Sequence, residues 1–181
     1  GKPCGVMDQT VSAVGGGICL DLEDLANPKV TQLHLDLDKF GLALCTVDCG
    51  ASHDDLTEEY ASMPKEMKEI ASFFMADSLR RLDMDTIINH AAFLRQQVGD
   101  RAVLRALHFF MECKRVEDLC GYIENGNKEM FVKTIISSGH SSYEYLQNAY
   151  VPAQPKTQAM AVALSVAQSF LDSKGGAWRL Q

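Results

Sequence analysis

A helix-rich α+β fold is what this sequence predicts, and three observations carry that prediction. Residues 14–49 have the texture of strands, with short apolar or alternating runs broken by glycine and proline. From about residue 54 the apolar period lengthens to that of a helix and keeps it almost to the end. The chain has 181 residues, 46% hydrophobic and 23% charged, an ordinary globular composition that can bury a core without disulfides or metal.

In the strand-like part, Gly15-Gly16-Gly17 reads as a hairpin turn ahead of the short apolar run Ile18-Cys19-Leu20. Leu33-His34-Leu35-Asp36-Leu37-Asp38 alternates strictly, as a half-buried strand does. Leu42-Ala43-Leu44-Cys45-Thr46-Val47 is nearly continuous, which predicts a strand covered on both faces. Asn27-Pro28 and Lys39-Phe40-Gly41 mark the turns between them.

In the helical part, Met67, Ile70, Ala71 and Phe74 recur at i, i+3, i+4 and i+7, with Pro64 placed near a helix start, where its missing N–H costs little. Leu104, Leu107, Met111, Val116, Leu119, Cys120 and Ile123 make one long helix or two in succession, ended by Asn125-Gly126-Asn127. Met130, Phe131, Thr134 and Ile135 form a short helix, and Ser137-Ser138-Gly139-His140 a loop. Pro152 and Pro155 precede a last amphipathic helix carrying Met160, Ala163, Leu164, Ala167 and Leu171, which Gly175-Gly176 stops. The chain shows neither internal repeats nor a low-complexity linker.

The net charge is −7, and it is uneven. Residues 1–100 hold eight basic and seventeen acidic side chains, a balance of −9, and residues 101–181 hold nine and seven, a balance of +2. Clustered Lys and Arg of the kind that neutralise phosphates are absent, which argues against a nucleic-acid partner. The six cysteines form no C-x-x-C pair, and the five histidines stand at no metal-ligand spacing from them. Cys19 and Cys45 lie in apolar runs, so buried free thiols in a reducing cytoplasmic compartment are the expectation. No apolar segment is long enough for a transmembrane helix. The sequence opens Gly1-Lys2-Pro3-Cys4 without Met and stops at Trp178-Arg179-Leu180-Gln181 in what reads as a starting strand, so a piece of a longer protein is expected.

The window richest in chemistry is Pro3-Cys4-Gly5-Val6-Met7-Asp8-Gln9. By residue type alone it places one carboxylate shortly after a glycine, a pattern that a helix N-cap explains as well as a catalyst does. His53, beside Asp54 and Asp55, invites a metal or acid/base role, against which stands a solvated loop histidine. His108, between Leu107 and Phe109, reads as a hydrogen-bonded, partly buried histidine. His140, Ser141 and Ser142 lack the G-x-S-x-G elbow of a hydrolase.

The stretch Gly5-Val6-Met7-Asp8-Gln9 resembles the G-[IVL]-M-D-Q signature of sugar kinases of the GHMP superfamily, the galactokinase family most of all. The resemblance is colinear. His53 and, seven residues later, Tyr60 follow an apolar run, as at the family's second-domain opening. Arg105 to Glu112 with Arg115-Val116 is similar to a family helix, and Phe131 followed by Ser138-Gly139-His140-Ser141-Ser142 to a short family loop.

That likeness implies a fold and an activity. Residues 1–40 would be the end of the family's N-terminal domain, and residues 41–181 most of its C-terminal domain, a ferredoxin-like layer of helices on an antiparallel sheet. The activity would be ATP-dependent phosphorylation of the anomeric hydroxyl of galactose or a related monosaccharide, with Mg2+. Asp8 would be the catalytic carboxylate, Gly5 would approach the sugar through its backbone, and Tyr60 would contact a sugar hydroxyl. A sugar hydroxyl is a poor nucleophile, and a carboxylate can accept its proton as it attacks phosphorus.

Some family features are missing from this sequence. The family's glycine-rich phosphate loop and its early arginine segment are absent, and its late glycine-rich motif would follow Gln181. After Tyr60 the chain has Ala61-Ser62-Met63-Pro64-Lys65 in place of a proline and paired arginines. These departures imply that the fragment alone is inactive, and they leave as the alternative a kinase-like sugar sensor acting through protein contacts.

Overall fold

A computed structural model of the chain describes residues 5–50 and 57–174. The first helix, α1 (Met7–Val14), stops at Gly15, where φ is 77°, with 69° at Gly16. Both values lie in the left-handed region that a side chain disfavours. The glycines hand the chain directly to β1 (Gly17–Asp21), so they form a helix stop and not the expected hairpin turn.

The hairpin lies further on. β1 pairs antiparallel with β2 (Lys29–Leu33), Gly17 opposite Leu33 and Asp21 opposite Lys29. The connection closes on Asp24, whose carbonyl accepts the Asn27 N–H at 3.1 Å and whose carboxylate accepts the Ala26 N–H at 2.9 Å. The turn at Asn27-Pro28 is therefore where the sequence places it.

Two expected strands do not form among the described residues, and the cause is the same for both. Leu33 is the last residue of β2, and its partner Gly17 is the first of β1. Beyond Gly17 the chain turns into the end of α1, so residues 34–38 have no edge to pair with. They fold into a turn, in which the Asp36 carboxylate accepts the Lys39 N–H at 3.2 Å and the Leu37 carbonyl accepts the Leu42 N–H at 2.9 Å. Residues 42–47 are irregular, with Leu44 83% and Val47 74% exposed and Cys45 exposed as well. An apolar run becomes a buried strand only where a sheet edge receives it. The sheet among the described residues has two strands, both before residue 34.

The remainder is helical: α2 (Thr57–Ser72), a 3₁₀ turn at Leu79–Arg81, α3 (Met84–Asn89), α4 (Ala91–Val98), α5 (Asp100–Glu124), α6 (Lys128–Ser141), a π turn at Ser142–Leu146 and α7 (Ala159–Asp172). The run from Leu104 to Ile123 thus belongs to a single 25-residue helix. Gly126, with φ of 63°, ends its last turn, and the Asn127 side chain starts α6 by accepting the Met130 N–H at 3.1 Å. The expected loop at residues 137–140 is instead the last turn of α6, because Ser138 and Gly139 are buried against α5. Pro64 stands well inside α2. It cannot return the usual bond to the Tyr60 carbonyl, and packing carries the helix through that gap.

The main core brings Ile70 and Ala71 of α2, Leu79, Ile87 of α3 and Leu94 of α4 onto Ala102, Val103 and Ala106 of α5. The stripe Met67, Ile70, Ala71 and Phe74 faces it throughout. Leu94 is fully buried. Leu94→Ala is expected to lower the unfolding free energy by about 2–5 kcal/mol, through lost transfer energy and the cavity left behind. Urea denaturation followed by far-UV circular dichroism checks this.

A second cluster joins Leu33 and Phe40 to Ile123 of α5 and Phe131 of α6, with the Phe40 and Phe131 rings 5.2 Å apart. The hairpin is thereby seated on the far end of α5. Arg80 reaches Asp21 at 3.0 Å and Arg81 reaches Glu23 at 2.9 Å beside it.

Candidate functional site

The carboxylate singled out by the sequence stands in the first turn of α1. The residue preceding that helix is Val6, and no side chain caps its start. Asp8 is therefore not the N-cap. It is exposed, and among the described residues its carboxylate has no hydrogen-bond or ion-pair partner. The helix start is held by Thr10, whose N–H and hydroxyl both donate to the Val6 carbonyl, at 3.0 and 2.7 Å. At Gly5 an added Cβ would meet nothing within 4 Å among the described residues, so they leave the backbone there open to approach.

Tyr60 lies in the first turn of α2 and is 48% exposed. It stands on a different element from Asp8, since α1 packs on β1 while α2 packs on α4, α5 and the 3₁₀ turn. His53 lies outside the described residues.

A polar network that no sequence motif marks holds the Tyr60 helix. Arg105 is 1% exposed. Its Nη1 donates to Ser62 Oγ at 2.8 Å and to Glu66 Oε2 at 2.9 Å, and its Nε donates to the Leu146 carbonyl at 3.0 Å. Arg101, one turn earlier on α5, donates to Glu66 Oε1 through Nε at 3.0 Å and Nη2 at 2.5 Å, and stands 3.8 Å from Glu59. Burial lowers the Arg105 pKa against the pull of Glu66, whereas the hydrogen bonds to Glu66 raise that of Arg101.

The same face of α5 continues with His108, whose Nδ1 lies 2.9 Å from the buried Ser141 Oγ. Glu112 follows, accepting from Ser138 Oγ at 2.5 Å and from Arg115 Nε at 2.8 Å. Residues 101, 105, 108, 112 and 115 recur at alternating steps of four and three. Within a helix whose other inward positions are apolar, that polar period was the available signal. His108 is hydrogen-bonded and buried, as its sequence context predicts. Ser138 and Ser141, singled out in the family-like loop, tie α6 to α5 and are not available as nucleophiles.

No group of three or more His, Cys, Asp or Glu side chains among the described residues could hold a metal ion. Gly15 and Gly16 end a helix and open none, so they form no phosphate cradle. Cys19 and Cys120 are free thiols beside one another at the hairpin seat, and burial with the Cys19 hydrogen bond pushes Cys120 up to about 12. No helix among the described residues is long and apolar enough to cross a membrane.

No family model matches this chain. Among curated proteins it is similar to the galactokinase of Streptomyces coelicolor, 29% identical over 150 residues that make up 78% of this chain and 36% of that protein. The galactokinase of Haemophilus influenzae is 25% identical over 177 residues, 98% of this chain and 43% of the relative. That of Actinobacillus pleuropneumoniae is 31% identical over 116 residues, 64% of this chain and 29% of the relative. The chain is thus galactokinase-like in sequence across most of its length, and it spans less than half the length of these relatives.

Proposed function

We propose, from this likeness, that the chain carries sugar-side elements of an ATP-dependent kinase that phosphorylates the anomeric hydroxyl of galactose or a close relative. The observation that supports this most directly is Asp8, an exposed carboxylate without a partner among the described residues, in a five-residue stretch that resembles the sugar-kinase signature. Residues 1–40 would end a catalytic domain, and residues 41–181 would begin a second, helix-rich domain of GHMP type. The whole would work in the cytoplasm.

In this reading the Asp8 carboxylate accepts the proton of the anomeric hydroxyl as that oxygen attacks the γ-phosphorus of the nucleotide. Gly5, with no side chain of its own, lets the sugar approach the backbone, and the Tyr60 hydroxyl bonds to a sugar hydroxyl. The transition state of phosphoryl transfer is loose, so holding the sugar in line matters at least as much as removing the proton. Among the described residues no side-chain cluster fits a nucleotide–Mg2+ site.

The test is an ADP-release screen of the enzyme that contains this chain, run against galactose, N-acetylgalactosamine and arabinose. The expected result is turnover with galactose or one of these relatives, with the product identified as the 1-phosphate by phosphorus NMR. Absence of sugar-dependent ADP release with all three overturns the reading. The chain by itself, which lacks a phosphate cradle among its described residues, is expected to release no ADP above background under the same conditions.

A further inference from the structure

We infer that Arg105, acting together with Arg101, is the positioning residue for Tyr60. Apolar packing holds α2 at one end only. Its fully buried side chains are Ile70 and Ala71, and Met67 joins them against the main core, all in its C-terminal half. Residues 57–66 contribute no fully buried apolar side chain. Pro64 also removes the hydrogen bond that would stiffen the turn after Tyr60.

What fastens this half to α5 is polar. Glu59, Ser62 and Glu66 bracket Tyr60 along the helix, and all three meet Arg101 or Arg105. Ser62 links the clamp back to the first turn, because its hydroxyl donates to the Glu59 carbonyl at 2.6 Å while accepting from Arg105. The same guanidinium holds the Leu146 carbonyl, at the end of the π turn and just before Gln147 at φ 56°. A single planar head thus fixes Tyr60's helix and the π turn to one point on α5. A lysine ammonium lacks the spread of donors to do this.

The inference rests on the sugar-kinase reading only for the ligand that Tyr60 meets. The test therefore reads the position of Tyr60 and its ligand separately, using this chain with fluorotyrosine introduced at position 60. In Arg105→Met, Glu66 keeps its bonds to Arg101, so no buried carboxylate is orphaned. The variant should speed amide exchange across residues 57–66 roughly tenfold or more, leave residues 102–110 within roughly twofold, and shift the fluorine signal of position 60. Arg105→Lys should show the same selective change. Leu94→Ala, which loosens the main core without touching the clamp, should not.

Exchange and fluorine signals at the wild-type values in Arg105→Met overturn the inference. So does the same local pattern in Leu94→Ala. Galactose affinity is then compared in Tyr60→Phe and Arg105→Met, each expected to be weakened roughly tenfold. If Tyr60→Phe binds galactose like the wild type, the sugar role of Tyr60 fails, and the exchange and fluorine results alone decide the clamp. If Tyr60→Phe weakens binding and Arg105→Met does not, the positioning role fails while the sugar role stands.

Discussion

Asp8→Asn, in the enzyme that contains this chain, is expected to lower kcat for galactose phosphorylation by about 10²–10⁴-fold, the usual contribution of a positioned general base. KM for the sugar should change little, because an amide of the same shape still hydrogen-bonds to a hydroxyl. The structure makes the experiment clean. Asp8 is exposed and has no partner among the described residues, so its replacement falls among surface changes that move stability by no more than about 0.5 kcal/mol. Lost turnover could not then be ascribed to lost fold, and thermal denaturation of the same preparation confirms it. A loss below tenfold would mean that positioning supplies nearly all of the rate enhancement and that Asp8 is not the base.

The sequence made some of this visible, and physics explains the division. The helices were legible where a long apolar period met a core. Met67, Ile70, Ala71 and Phe74 face it, and α5 runs unbroken to Asn125-Gly126. Helix α3 escaped because six residues are too few for a period. Its signal was the cap, since the Asp83 carboxylate accepts the Thr86 N–H at 2.7 Å. That contact also holds the Asp83 pKa below its ordinary value.

The strands misled because a strand is not a local structure. Leu42 to Val47 has the composition of one and no edge to join, and the alternation after Leu33 outlasts its partner strand. At the candidate site, Asp8 stands out only through family likeness, since a lone carboxylate near a helix start carries little information by itself. The polar period of α5 marked one side of the clamp, but its partners on α2 were not legible. Glu66 and Arg105 are 39 residues apart, and only the packing of α2 on α5 brings them together.

Glu66→Leu should be more damaging than Arg105→Met, lowering the unfolding free energy by about 3–5 kcal/mol. The reason is an asymmetry between the partners. When Arg105 is removed, Glu66 keeps Arg101 and, at 16% side-chain exposure, some access to water. When Glu66 is removed, Arg105 stays 1% exposed, and among the described residues its hydrogen bonds are left to the Ser62 hydroxyl and the Leu146 carbonyl, with the Glu59 carboxylate acting only at longer range. Neutral acceptors do not repay the desolvation of a guanidinium that burial already disfavours. Arg105→Met should therefore cost less than Glu66→Leu, and the double variant should recover much of the loss, because two apolar side chains can pack where the ion pair stood. Urea denaturation of the four proteins completes a double-mutant cycle with a coupling of about 1–3 kcal/mol. If the double variant is as unstable as the sum of the two single variants, Arg105 and Glu66 act independently and the clamp is not a unit. If it recovers stability but Tyr60 still loses its place, the charges at this point serve the site more than the fold.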